Sequence, residues 1–267
     1  MLDLLTGIFA MLFYTGLAVW QWQHWRQRTT PNRSWLLGGA AVALLLHSVS
    51  VYTLIDTDQG FHFGFFRVSS LIFWVIGITV VISSIRLPVE NLLPPLFFCA
   101  AISIASSLFI NTPYKPINTL SYPIAAHILL SILAYSMLTI ACVQAIALDL
   151  QDKLLRGKQW QRAMATLPPL QTMEALLFEM LWAGTVLLGL SIITGLLFFE
   201  DLRSQHLIHK MFFSLIALLV YCTLLWGRHF HGWRGKKAIR WTLGGFAALM
   251  LAYFGTKLVL ELILAKT

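Results

Sequence analysis

Apolar residues in this chain fall into eight long runs with hardly any connecting material between them. The runs extend from Leu4 to Trp22, Trp35 to Ile55, Val68 to Ile85, Leu92 to Ile110, Tyr122 to Leu148, Ala175 to Phe199, Ile208 to Gly227 and Trp241 to Leu264. Each is near the roughly 20 residues a helix needs to cross the hydrocarbon of a bilayer. The breaks have physical causes. Pro31-Asn32, Pro88, Pro94-Pro95, Pro113 with Pro116, and Pro168-Pro169 remove helix donors and bias the preceding residue away from helix. The first run has no basic segment before it and no small-residue cleavage site after it, so it reads as a permanent helix rather than a signal peptide. The pattern predicts an all-α, polytopic membrane helix bundle of about eight transmembrane helices, a single transmembrane domain over residues 1–267.

Composition agrees. The chain is 58% hydrophobic and 11% charged with a mean hydropathy of +0.75, whereas soluble domains carry about 25% charged residues. No stretch is left over for a soluble domain. With the N-terminus outside, the inner loops collect Arg26, Arg28, Arg33, Arg86, Lys153, Arg156, Lys158, Arg162, Arg228, Arg234, Lys236, Lys237 and Arg240, which is thirteen of the nineteen lysines and arginines. The bias of basic residues toward the cytoplasmic side then predicts both termini on the outer, periplasmic side of a bacterial inner membrane. The net charge of +8 is explained by topology and anionic membrane lipid, and nucleic acid is not needed as a partner.

Several chemistries are disfavoured. Cys99, Cys142 and Cys222 are isolated within predicted spans, with no C-x-x-C, haem-attachment or zinc spacing. They read as small buried hydrophobes. Phosphate-binding glycine loops, a G-x-S-x-G elbow and an H-E-x-x-H pair are absent. No nucleophile, base and orienting group can be placed together, so catalysis is not indicated.

Polar side chains inside the membrane are costly and are therefore functional candidates. His47, in LLLHSVSVY, lies roughly 12 Å below the outer end of its helix, and His127, in YPIAAHILLSILAY, about 8 Å below the end of its own. His127, Ser131 and Tyr135 recur at steps of four and share a helix face. Two readings stand side by side. Each histidine donates to a neighbouring helix carbonyl and serves packing, or the two converge on one metal as axial ligands of a haem iron, for which neutral imidazole is a standard ligand.

Further polar groups belong to the outer face. Glu200, Asp201, Arg203, His206, His209 and Lys210 precede the seventh run, and His62 and Arg67 precede the third. Arg67, Arg203 and Lys210 are cationic partners of the kind haem propionates take, although solvated loop charge is the commoner role for any one of them. In the last run Gly244, Ala248 and Ala252 make a small-residue ridge for helix packing. Lys257 and Glu261, at i and i+4, pair with each other or relay protons. At the other face, WGRHFHGWRGKKAIRW from Trp226 to Trp241 combines interfacial tryptophans with five basic residues, an anchor to the inner surface. His229 and His231 are not explained by anchoring.

The order and spacing of these segments resemble a known family. His209-Lys210 and the apolar run after it, GRHFHGWRGKKAIRWTLGGF from Gly227 to Phe246, LAYFGTKLVLE from Leu251 to Glu261, HILLSILAY from His127 to Tyr135 and PPLQTMEALLFEM from Pro168 to Met180 together look like the YpjD/HemX-like branch of the cytochrome c assembly family. The resemblance covers most of the chain and is strongest from His127 onward. It implies a multi-helix inner-membrane protein related to those that carry or present haem for cytochrome c maturation, with His127 as a candidate ligand. The tryptophan-rich outer loop of better understood relatives is missing, because FFEDLRSQHLIHK contains no tryptophan. His229 falls within the family's inner-face G-R-H…G-W-R-G motif.

The expectation is a haem b-binding membrane protein acting in haem handling or cytochrome c biogenesis. His47 and His127 are the iron ligands, and Tyr135, His209, Arg67, Arg203 and Lys210 line the cofactor, with membrane lipid and a cytochrome c biogenesis protein as partners. Two other classes stay open: a cofactor-free accessory subunit of a transporter or assembly complex, which a stoichiometric partner would reveal, and a small-solute or ion transporter. No internal repeat or pair of interrupted helices points to the latter.

Overall fold

The computed structural model describes residues 2–27, 29–58, 60–110, 121–156, 168–198 and 205–255. Helices dominate. They are α1 (Leu2–Arg26), α2 (Arg33–Ile55), α3 (Phe65–Arg86), α4 (Leu93–Phe109), α5 (Tyr122–Arg156), α6 (Leu170–Phe198), α7 (Gln205–His231) and α8 (Lys236–Met250). A π-helical turn, Leu251–Gly255, continues α8, and a 3-10 turn, Glu90–Leu92, precedes α4. Seven helices among the described residues, α1 to α7, are long and apolar enough to cross a membrane. The eighth expected span begins within α8, and its second half falls in residues 256–267, outside the described residues.

The polar punctuation sets the helix ends. Asn32 caps α2, its side-chain oxygen accepting from the backbone N–H of Ser34 at 3.0 Å and of Trp35 at 3.4 Å, which satisfies donors that a helix start leaves orphaned. Pro94 and Pro95 fall in the first turn of α4, where a missing N–H costs little. Between α2 and α3 the chain makes a two-residue hairpin, β1 (Asp56–Thr57) against β2 (Gly60–Phe61), antiparallel with Asp56 opposite Phe61. Gly60 has a φ of 110° there, a left-handed value that excludes most side chains.

The helices gather into two compact units, one built on α1 to α4 and the other on α5 to α8. In the first, α1 packs on α2 and α4, and α3 packs on the same two, a ring of four around Tyr14, Leu36, Ile76, Leu93, Phe97 and Ile104. Polar clasps close it at both ends. The Arg67 guanidinium donates to the carbonyl of Leu54, and the Ser50 hydroxyl donates to the Asp3 carbonyl at 3.4 Å. At the opposite end Arg33 pairs with Glu90 at 2.8 Å and donates to the Ser84 carbonyl, while the Gln21 amide donates to the Glu90 carbonyl at 2.7 Å.

In the second unit small residues let helices approach closely. A Cβ at Gly184 of α6 would lie 2.7 Å from the Leu138 side chain of α5, and one at Gly245 of α8 would lie 2.8 Å from the Tyr221 ring of α7. The Gln144 amide of α5 donates to the Met173 carbonyl of α6 at 2.9 Å. Of the ridge expected at Gly244, Ala248 and Ala252, Ala252 is buried, but the glycine that makes the close approach is one residue from Gly244. Gly244 is exposed with nothing near it, and Gly245 makes the approach.

Candidate functional site

The polar face of α5 is answered by two different helices. His127 Nδ1 lies 2.9 Å from the Ser191 carbonyl oxygen and 3.3 Å from the Thr194 hydroxyl, both on α6. A carbonyl only accepts, so Nδ1 carries the proton and Nε2 the lone pair. One turn on, the Ser131 hydroxyl lies 2.7 Å from that of Ser191 and bonds back to the His127 carbonyl at 2.8 Å. Gly195 makes the space: a Cβ there would stand 3.1 Å from His127 Cε1. Tyr135 is rotated about 80° from His127 by two helical steps, and its hydroxyl reaches α8 instead, donating to the Leu249 carbonyl at 2.7 Å.

The π-helical turn completes this end. It carries Tyr253, whose ring meets Tyr135 edge-on at 5.5 Å and lies 4.9 Å from the Lys210 ammonium of α7. π-turns recur at functional sites because the widened turn redirects side chains. The second unit thus brings together His127, Tyr135 and Lys210 of the expected residues. Sequence reasoning missed Ser191, Thr194, Gly195 and Tyr253. A signal existed for the first two, a serine and a threonine at i and i+3 in an apolar run.

His47 lies in the first unit, completely buried. Its Nδ1 is 3.2 Å from the Tyr14 hydroxyl of α1, and its Nε2 is 2.9 Å from the Ser70 hydroxyl of α3. Both partners are hydroxyls, so either tautomer is served, and both nitrogens are engaged. The imidazole ties three helices together. Arg67, expected at the cofactor, spends its guanidinium on the end of α2. His209 lies in α7, and its side chain is outside the description, while Arg203, Lys257 and Glu261 lie outside the described residues.

His229 is exposed at the far end of α7. It lines an open groove of about 580 Å³ between α6 and α7, together with Trp182, Cys222, Trp226 and Phe230. The glycines of the surrounding motif have a geometric purpose. Gly232 and Gly235 hold φ of 60° and 57°, and the chain turns back so that Trp233 packs on Gly227, its N–H donating to the Gly227 carbonyl at 3.1 Å. A Cβ at Gly227 would collide with the indole. Arg228 bonds to Glu174 of α6 at 3.1 Å and to the Trp233 carbonyl at 3.4 Å, above the Phe178 ring.

Among the described residues no three histidine, cysteine, aspartate or glutamate side chains gather as a multidentate ion site. A haem iron needs only one or two protein ligands. His127 has the chemistry for one: a ring oriented through Nδ1–H by a carbonyl, with the lone pair on Nε2, is the usual arrangement of a metal-binding imidazole. The same bond is what the packing reading anticipates, so it serves both.

Known proteins supply the wider context. The family described as cytochrome C assembly protein matches residues 35–264. The chain belongs to this family. It is 33% identical over 226 residues to the inner membrane protein YpjD of Escherichia coli K12, covering 84% of this chain and 86% of that protein. It is also 32% identical over 140 residues to a 28.8 kDa protein from Azospirillum brasilense, about half of each chain (52% and 52%), and 22% identical over 210 residues to Protein HemX of Brevibacillus brevis, 76% of this chain and 69% of that one. No solved structure matches. Family membership and the seven described spans make this a multi-pass inner membrane protein.

Proposed function

We propose that the protein handles haem in cytochrome c biogenesis, holding haem b through His127 in the second unit. The observation that carries this reading is the His127 tautomer, with Nδ1–H given to the Ser191 carbonyl and the ring seated against Gly195. Bound haem supplies an iron that accepts a neutral imidazole lone pair. The chain's own residues do the rest. Ser191 and Thr194 orient the ring, and Lys210, with Arg203 and His209 close by in sequence, offers charge to the propionates. Tyr135 and Tyr253 pack edge-on beside Lys210 and fix where its charge is offered. In the first unit His47 remains a candidate iron ligand, on condition that it gives up a hydroxyl partner to turn a nitrogen to iron, and Arg67 a candidate partner for a propionate.

The test is an absorption spectrum of the detergent-purified protein, oxidised and then dithionite-reduced, with a pyridine haemochrome assay for stoichiometry. A Soret band and about one haem per chain are expected from neutral imidazole ligation. His127→Ala should lose the haem. Gly195→Ala, which crowds the ring without removing it, should retain haem with shifted reduced bands. Full haem content in His127→Ala would overturn the ligand assignment. A protein still colourless after expression with added haem would overturn haem binding and leave the accessory-subunit reading.

A further inference from the structure

From the turn between α7 and α8 we infer a binding site for the phosphate headgroup of an anionic phospholipid. Arg234, Lys236, Lys237 and Arg240 are all exposed here, and Lys236, Lys237 and Arg240 fall on one face of α8 by their i, i+3 and i, i+4 spacing. Among the described residues none of these four has a carboxylate partner: of the two acids on the neighbouring α6, Glu174 is taken by Arg228 and Glu179 pairs with none of them. No acidic residue occurs between Asp201 and Glu261. Four cations crowded without counter-charge repel one another, and the two lysines stand in the first turn of α8, where the helix dipole disfavours them. A bound anion would relieve both costs.

One of these cations is also held in place. Trp233, locked on Gly227 by the two left-handed glycines, is covered by the Lys237 ammonium at 3.5 Å from its ring centre and flanked by Trp241 at 5.4 Å. A flexible tether would suffice if diffuse attraction to the membrane were the whole purpose. This turn instead stacks Lys237 on an indole that is itself packed on Gly227, which presents one cation preorganised beside the others.

Charge complementarity calls for an anion, and the surroundings make it a lipid. The turn joins the ends of two helices of a membrane bundle, and Trp226, Trp233 and Trp241 are the amphipathic aromatics that settle at headgroup depth. Basic pockets between membrane helices hold anionic headgroups in this way. The site is at the opposite end of α7 from Lys210 and is independent of the haem reading.

The test uses the full chain in detergent with phosphatidylglycerol or phosphatidylcholine added, read by native mass spectrometry and by thermal stability. Phosphatidylglycerol should bind more tightly and raise the melting temperature, and each of Lys236→Ala, Lys237→Ala and Arg240→Ala should weaken it roughly five-fold. Gly227→Ala keeps every charge but expels the indole, and it should weaken phosphatidylglycerol about as much as losing one lysine. If that variant does not fold, Trp233→Leu asks the same question with Gly227 intact. Equal binding of the two lipids would overturn the site. Undiminished preference in both Gly227→Ala and Trp233→Leu would overturn the preorganised cation and leave a diffuse charge field.

Discussion

His47 has a structural role in the first unit that must be separated from its proposed role as a haem ligand. Its imidazole is the hub of a dry contact among α1, α2 and α3, and removing it orphans the Tyr14 and Ser70 hydroxyls and opens a cavity. His47→Ala should therefore lower apo-protein stability by about 2–4 kcal/mol, a cavity term plus unsatisfied polar groups. Tyr14→Phe, losing one bond, should cost about 1 kcal/mol. Unfolding in mixed detergent, followed by helical circular dichroism, measures both. Loss of haem from His47→Ala would thus not by itself identify a ligand. Ser70→Ala separates the roles because it releases Nε2 at small cost. Haem content that rises in Ser70→Ala supports ligation by His47, and content that holds or falls identifies the triad as a structural tie.

At the scale of elements, hydropathy made the helices legible and side-chain detail decided how they meet. The expected runs agree with α1 to α7 to within a few residues at most ends, because prolines and Asn32 stop helices for local reasons. α5 is the exception, continuing to Arg156 past the expected Leu148 because the charged residues Asp149 and Lys153 pair at i, i+4 and extend it beyond the apolar run. Partner choice was not legible. Tyr14 and Gly195 look unremarkable in sequence, and their roles exist only once helices distant in the chain are adjacent. Likewise the small-residue pattern pointed to Gly244, one position from the residue that matters. Gly245→Ala should destabilise the α7–α8 contact by about 1–3 kcal/mol, since its Cβ meets the buried Tyr221 ring. Gly244→Ala, facing open space, should be neutral or stabilise α8 by up to about 1 kcal/mol through helix propensity. Thermal unfolding of the two variants side by side checks the register, and the reverse order would contradict this packing.

For the molecule as a whole, the uneven distribution of lysine and arginine predicts the direction in which the two ends of the second unit face. The start of α5 with His127 and the start of α7 with Lys210 lie at one end, and the end of α7 with the basic turn lies at the other. The alternation of the expected runs assigns thirteen of the nineteen basic residues to the inner face together with that turn, so the turn should face the cytoplasm and His127 the outer half of the bilayer. Replacing Cys99, Cys142 and Cys222 by alanine gives a background for single reporter cysteines. Ser121→Cys, exposed just before α5, should react with a membrane-impermeant maleimide in intact spheroplasts. Lys236→Cys, exposed at the start of α8, should react only after permeabilisation. The reverse pattern would invert the chain and put the proposed haem site on the cytoplasmic side, incompatible with delivery outward. The expected pattern would place a haem-facing end toward the periplasm and a lipid-anchored end toward the cytoplasm, so that one bundle is held by the inner leaflet while its ligand side faces outward.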